Sequence, residues 1–425
     1  MSLNALGYSN VNLGSYVSLV MPESMKHQGL AYPALPNCKS RIVSVPCTNA
    51  SSARSGQNLI VSLPNQGVYK KQSGYLRFKV KTITTSSKAT FKNDAGVSAL
   101  FNRITITSGG VCEVMPNYDY WAGIILNTLT NTMYYNVDAA LLEGTNGQTI
   151  STTDKEFCMP ILSNILGNQK SFPLFPLAQP LQIELNLNSL TRALVQGTTA
   201  PTDFEISDIR FVYESIYAGQ DYENAVRSYV QQNGAYSFNF DTYISHQVNV
   251  SQNASLSFNG GIGKQAVEAI LACNVISGDL DAITTGKLGL MVRGVNATAA
   301  SDIDDTDLGL SCFLDGQSVL PQPLNRNSQV LIEAQRSCMS CFDTVATLAV
   351  KDSAKYGTNQ AEGGCLVAGF NCRVFDEQNV VSGIPVSNVQ LVRTQPYGSA
   401  TTVFIYCVHK ANLRIDASGM TSIQS

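Results

Sequence analysis

Two nine-residue stretches, FEISDIRFV at residues 204–212 and IPVSNVQLV at residues 384–392, carry one pattern. Each runs apolar, spacer, apolar, Ser, Asp or Asn, apolar, polar, and then two apolar residues. They start at 204 and 384, 180 residues apart. Alternation of this kind belongs to a strand with one buried face, and its recurrence points to one β-rich unit present twice. The length agrees: 425 residues exceed one ordinary core and suit two domains of about 150–200 residues.

The same period recurs along the chain. In YLRFKVKTI, Leu76, Phe78 and Val80 share one face while Arg77, Lys79 and Lys81 share the other, the signature of a half-buried antiparallel strand. ALFNRITITS runs into Gly109-Gly110 and VCEV, which predicts strand, tight turn, strand. LQIELNLN places Leu181, Ile183, Leu185 and Leu187 together, and AYSFNFDTYI does so with Tyr236, Phe238 and Phe240. VEAILACNVI, KLGLMVRG, LGLSCFLDG, VLIEA, CLVAGFNCRVF and SNVQLV are further strands by the same reading. From Val403 to Val408 the chain is apolar on both faces, which predicts an interior strand covered on both sides.

Helical spacing is clear in one stretch. Tyr118, Trp121, Ile125 and Leu129 recur at that spacing, with Asn117 after Pro116 placed as N-cap. This helix is expected in a large loop at one end of a sandwich, with the lone tryptophan, Trp121, anchoring it to the sheet. DYENAVRSYVQQ, residues 221–232, is a short polar helix or linker. Residues 1–55 show no steady period. They read as an extended arm, either tying neighbouring subunits or touching material beneath them, or else as a frayed terminus. The division is then an arm at 1–55, a first unit at 56–218, a linker helix at 219–234 and a second unit at 235–425. About eight strands per unit fit a jelly roll better than a seven-stranded sandwich. The expected fold is all-β: two tandem eight-stranded jelly rolls with short helices in loops.

Charged residues make up 14%, well below the ~25% of a typical soluble domain, and Ser, Thr, Asn, Gln and Gly take their place. Such a surface loses little on desolvation and suits extensive contact with other protein. The net charge of −3 exerts no global pull on nucleic acid. No apolar run approaches the ~20 residues of a membrane span, and the N-terminus lacks the features of a signal peptide. Eleven cysteines, an odd number, then read as reduced thiols in a cytosol-like compartment. The sequons at Asn49, Asn249, Asn253 and Asn296 carry little weight without a secretory route.

The order of segments resembles the double jelly-roll major capsid proteins of icosahedral double-stranded DNA viruses, among them polinton-like viruses, virophages and tailless phages. The likeness rests on GYLRFKVK, on ALFNRITITSGGVCEVMPNYDYW, and on FPLAQPLQIELNLN followed by FEISDIRFVYESI. It continues in GAYSFNFDTYISHQVNV and in the closing VFIYCVHKANLRIDASG, and spans most of residues 57–420. The resemblance implies a homotrimer of pseudo-hexagonal outline, two rolls per subunit and modest loops. It also implies contacts with neighbouring capsomers and with minor capsid and vertex proteins, an internal membrane in some members, and a place in a virion assembled inside the host cell. The rival reading is a secreted carbohydrate-binding or adhesive β-sandwich, which calls for disulfides and exposed aromatic platforms. A β-sandwich hydrolase with scattered carboxylates is the third.

Motifs for chemistry are sparse. GGIGK at 260–264 fails as a phosphate loop, because Phe258 stands where a Gly is required and Gln265 replaces Ser or Thr. No GxSxG elbow is present, and His27, His246 and His409 lie far apart. Asp302, Asp304, Asp305 and Asp307 crowd one loop and are the candidates for calcium, though without the spacing of an EF-hand. Cys338 and Cys341 form a CxxC and are the candidates for zinc. A second pair, Cys365 and Cys372, has six intervening residues rather than two to four and sits in an apolar strand. The blander assignments are a solvated loop and buried thiols, so no catalytic, cofactor or metal residue is assigned. Arg77, Lys79 and Lys81 read as the wet face of a sheet rather than as a nucleic-acid surface, since no aromatic residues are interleaved with them.

Overall fold

The computed structural model describes residues 38–92, 95–129, 142–144, 148–167, 170–283, 309–324, 332–334, 336–337, 367–373 and 383–424. The first half opens with β1 (Lys39–Pro46) and β2 (Ser52–Arg54), one interrupted edge strand, followed by β3 (Asn58–Leu63) and β4 (Tyr75–Ile83). The hairpin β5 (Phe101–Thr107) and β6 (Val111–Pro116) comes next, then β7 (Lys155–Pro160), β8 (Leu181–Leu187) and β9 (Asp203–Tyr217). One sheet runs β1/β2–β9–β4–β7 and the other β3–β8–β5–β6, all antiparallel. With β1/β2 counted as strand one, the orders are 1-8-3-6 and 2-7-4-5.

The second half repeats that order. It comprises β10 (Ala235–Val250), β11 (Leu256–Ile276), β12 (Leu310–Leu314), β13 (Gln317–Ser318), β14 (Ala368–Asn371), β15 (Ile384–Arg393) and β16 (Thr401–Asp416). The long β11 serves as two strands. Residues 256–261 pair with β15, whereas residues 267–276 pair chiefly with β16. One sheet is therefore β10–β16–β11–β14 and the other β11–β15–β12–β13, again 1-8-3-6 and 2-7-4-5. The chain folds as two jelly rolls of one plan. The register shift lies between Gly261 and Gln265, so the rejected GGIGK motif is the corner at which β11 passes from one sheet to the other. Gly263 has φ +74°, a left-handed conformation that side chains disfavour.

Several expectations need correction. The repeat is real, but the echo that suggested it joins unlike strands: residues 204–212 lie in β9, the eighth strand of its roll, and residues 384–392 in β15, the seventh. Residues 39–54, expected in the arm, form β1 and β2 and pair with β9 from Arg54↔Glu205 to Lys39↔Tyr217. Residues 332–334, expected inside a strand, are helical. KLGLMVRG and residues 1–37 lie outside the described residues.

Helix α1 (Tyr118–Leu129) follows β6, and α2 (Gln220–Asn233) joins the rolls. α2 buries Tyr222, Val226 and Val230 at helical spacing and ends on Gly234, φ +78°, a left-handed C-cap. α1 is not a loop decoration. Residues 118–126 are all buried, the mark of a helix enclosed on every side. Asn117, φ +49°, stands at its N-cap place but points its amide at Ser245 Oγ, 3.0 Å away, while its backbone carbonyl accepts the Trp121 N–H.

Candidate functional site

One side of α1 packs on residues 96–107 of the first roll, and the other side is covered by the second roll. Strand β16 is buried on both faces because each has its own core. Val403, Ile405 and Cys407 point into the second roll, and Phe404, Tyr406 and Val408 point at the first. In β11, Ile270 and Ala272 face inward while Leu271, Cys273 and Val275 face the first roll. The Tyr120 ring stacks on Phe404 at 4.1 Å, and Trp121 packs against Tyr243 at 4.5 Å and Tyr406 at 5.3 Å. Burial of each such side chain contributes about 1.5–3 kcal/mol, and aromatic pairs add about 0.5–1.5 kcal/mol. Trp121 therefore anchors the helix to a sheet as expected, but the sheet is that of the second roll.

Polar groups complete the junction. Tyr243 donates its hydroxyl to the Pro116 carbonyl and Tyr406 donates to that of Asn117, both at 3.0 Å. Arg192 grips Asp119 in a two-pronged contact, Nε to Oδ2 at 2.9 Å and Nη2 to Oδ1 at 3.2 Å, and also donates to Asn117 Oδ1 at 3.0 Å. Burial pushes the Asp119 carboxyl up, and the guanidinium pulls against that shift without reversing it. Lys92 donates to the carbonyls of Asp279 and Leu280 in the second roll, with its pKa lowered to about 8 by burial. At the other end, β17 (Thr421–Gln424) folds back on β16, and the Ala178 N–H reaches the Gly419 carbonyl at 2.9 Å. Thr421 Oγ1 also donates to the Ser108 carbonyl.

Further buried carboxylates, among them Glu113, Asp241 and Glu268, were not singled out in the sequence. Glu113 on β6 accepts from Ser163 Oγ at 2.5 Å and from the Asn164 N–H at 3.1 Å, and burial raises its pKa to about 7. Asp241 forms an ion pair with Lys410, Nζ to Oδ1 at 2.6 Å, and Lys410 also lies 3.6 Å from Glu268, which Arg373 meets at 3.8 Å. Burial pushes the Asp241 carboxyl up although Lys410 pulls it down. The legible signal was a lone charge inside an apolar run: Asp241 in SFNFDTYI, Glu268 in VEAILA and Lys410 in IYCVHKANL.

The candidate metal residues Asp302, Asp304, Asp305, Asp307, Cys338 and Cys341 lie outside the described residues, as does Cys365. Cys372 is buried in the second core beside Cys312 and Cys407, and burial pushes its thiol up to about 12, so it stays protonated. No disulfide joins any of the eight described cysteines. Among the described residues no group of three or more His, Cys, Asp or Glu is placed to hold a metal ion. His246 stands opposite Ile405 and His409 opposite Thr242, apart along one ladder. Among the described residues no helix is long and apolar enough to cross a membrane.

The stripe of Arg77, Lys79 and Lys81 is neutralised in place. Arg77 meets Glu156 at 2.8 Å, Lys79 meets Asp208 at 4.0 Å, and Lys81 meets Glu205 at 3.0 Å and Asp154 at 3.8 Å. These cross-strand pairs make a wet sheet face with little field left for an anionic partner. The arrangement as a whole is a closed junction that makes two rolls one body.

No protein-family model matches the sequence, and no curated protein does. Solved structures match its fold. PBCV-1 VP54, fitted into a reconstruction of the virophage Sputnik, superimposes with a TM-score of 0.62 at 12% identity, covering 93% of this chain and 98% of the other. The Faustovirus major capsid protein gives 0.57 at 10% identity, with 96% and 94% covered. The mavirus major capsid protein gives 0.50 at 10% identity, with 100% and 95% covered. Over nearly its whole length, the chain has the double jelly-roll fold of these viral capsid proteins.

Proposed function

We propose that this chain is a major capsid protein, a non-enzymatic subunit of an icosahedral virus shell. The observation that carries the reading is the shared junction: two rolls of identical strand order, joined through α1 into one block, in a fold that matches capsid proteins end to end. Three such chains place six similar wedges about an axis, so a homotrimer presents a pseudo-hexagonal outline that tiles a curved sheet. Interfaces of this obligate kind bury more than about 2,000 Å², and a surface with only 14% charged residues suits them. Exposed Val111, Met420 and Ile423 lie where the C-terminal hairpin meets the β5–β6 turn, and Ile42 is 77% exposed on the edge strand β1. Neighbouring capsomers, minor capsid and vertex proteins, and in some shells a membrane, are the partners of this reading, and the virion is its location. That no disulfide joins the described cysteines favours it over a secreted, disulfide-bonded sandwich.

Native mass spectrometry of the purified protein tests the proposal. A chain of 45.7 kDa forms a trimer of roughly 137 kDa that persists on dilution, and negative-stain images show hexagon-like outlines. A monomer at micromolar concentration refutes it.

A further inference from the structure

Strand β15 turns Val389, Leu391 and Arg393 to its inner side, and all three are buried. Alternation reserves the third place for an apolar side chain. The matching strand of the first roll, β8, fills its inner face with Leu181, Ile183, Leu185 and Leu187. Arg393 is instead a guanidinium at 1% exposure, level in the ladders with Leu256 and Leu310, both also buried. The Tyr397 ring covers it, with the guanidinium carbon 4.0 Å from the ring centre.

Among the described residues no carboxylate or carbonyl stands within hydrogen-bonding geometry of its Nε, Nη1 or Nη2, and the neighbour that meets the guanidinium is Tyr397. In the same turn Gln395 Oε1 is likewise buried, with no hydrogen-bond partner among the described residues. Gly309 presses on that turn. It has φ +58°, its carbonyl accepts the Thr394 N–H at 3.2 Å, and a Cβ there would lie 1.8 Å from Thr394 Oγ1.

A buried lysine or histidine escapes an apolar site by losing its proton, but an arginine does not. An aromatic face offsets only part of the lost hydration, and it leaves the N–H edge in the guanidinium plane unmet. Buried charges are otherwise paired, because the unpaired state is strongly destabilising. A water molecule could satisfy the N–H groups but would bring no counter-charge.

We propose that Arg393, backed by Tyr397, is an anion-binding site of the second roll that takes a small inorganic anion, a halide or a compact oxyanion such as phosphate. The fork of N–H donors suits such ligands. Occupancy ties the end of β15 to the turn that follows and so stabilises the second roll by mass action.

The test is thermal unfolding of the whole protein at constant ionic strength, with chloride, bromide or phosphate replacing gluconate. The wild type gains a saturable rise in Tm of about 2–4 °C, and Arg393→Met gains none. A response to halides as well as phosphate assigns a general anion site, and a response to phosphate alone assigns an oxyanion site. An equal rise in both proteins, or no rise in the wild type, overturns the proposal. Should Arg393→Met fail to fold, anomalous diffraction from a bromide-soaked wild-type crystal decides. A bromide peak within hydrogen-bonding distance of the guanidinium supports the site, and its absence overturns it. Trimer formation is a separate measurement, so either claim can fail alone.

Discussion

Trp121→Ala probes the junction that joins the rolls. The indole is 1% exposed, wedged between α1 and the sheet of the second roll against Tyr243 and Tyr406. Truncating a buried Trp to Ala costs about 3–5 kcal/mol. The resulting shift in Tm depends on how much of the chain unfolds together. Unfolding entropy is about 2.1 cal/mol/K per residue, or roughly 0.9 kcal/mol/K for the whole chain and roughly 0.4 for one roll. A single cooperative body therefore loses about 3–6 °C, whereas a roll melting alone loses about 8–12 °C. We expect the smaller shift, one calorimetric transition, and an enthalpy belonging to the whole chain. Because Trp121 is the only tryptophan, its fluorescence reports this contact, and its red shift should coincide with the loss of circular dichroism. Two wild-type transitions, or a Trp121→Ala shift below about 1 °C, refute the argument that the junction makes the rolls one body.

Arg192→Met leaves Asp119 buried without its guanidinium and should cost about 3–5 kcal/mol in urea unfolding. The double variant Arg192→Met with Asp119→Leu should recover part of that loss, and a double variant no better than Arg192→Met refutes the pairing. Glu113 has a folded pKa of about 7 against an ordinary 4.5, so the native state holds its proton more tightly than the unfolded chain does. Its contribution is complete below about pH 4.5 and is lost as pH rises through about 7, a difference of about 3 kcal/mol. Glu113→Gln should flatten the pH dependence of stability over that window. An unchanged profile refutes the assignment.

Much of the fold was legible because a strand with one wet face writes its burial into the chain. Leu76, Phe78 and Val80 against Arg77, Lys79 and Lys81 needed nothing beyond period two. The doubly apolar run at 403–408 correctly announced an interior strand. β1 escaped notice for the opposite reason. It is an exposed edge strand held by backbone hydrogen bonds to β9, and backbone pairing leaves no mark on side-chain pattern. The echo of residues 204–212 and 384–392 shows the limit of such patterns, since alternation reports which face is buried and not a strand's place in the sheet.

By itself the sequence determined the local state of the strands with one wet face and of helix α1, and which side of those strands turns from water. It could do so because those choices depend on near neighbours in the chain. Only the tertiary structure decided that α1 lies between the rolls, that Asp119 meets Arg192 across 73 residues, and that the guanidinium of Arg393 closes a core against the Tyr397 ring. These are matters of long-range contact, and two chains with the same alternation can bring quite different residues face to face.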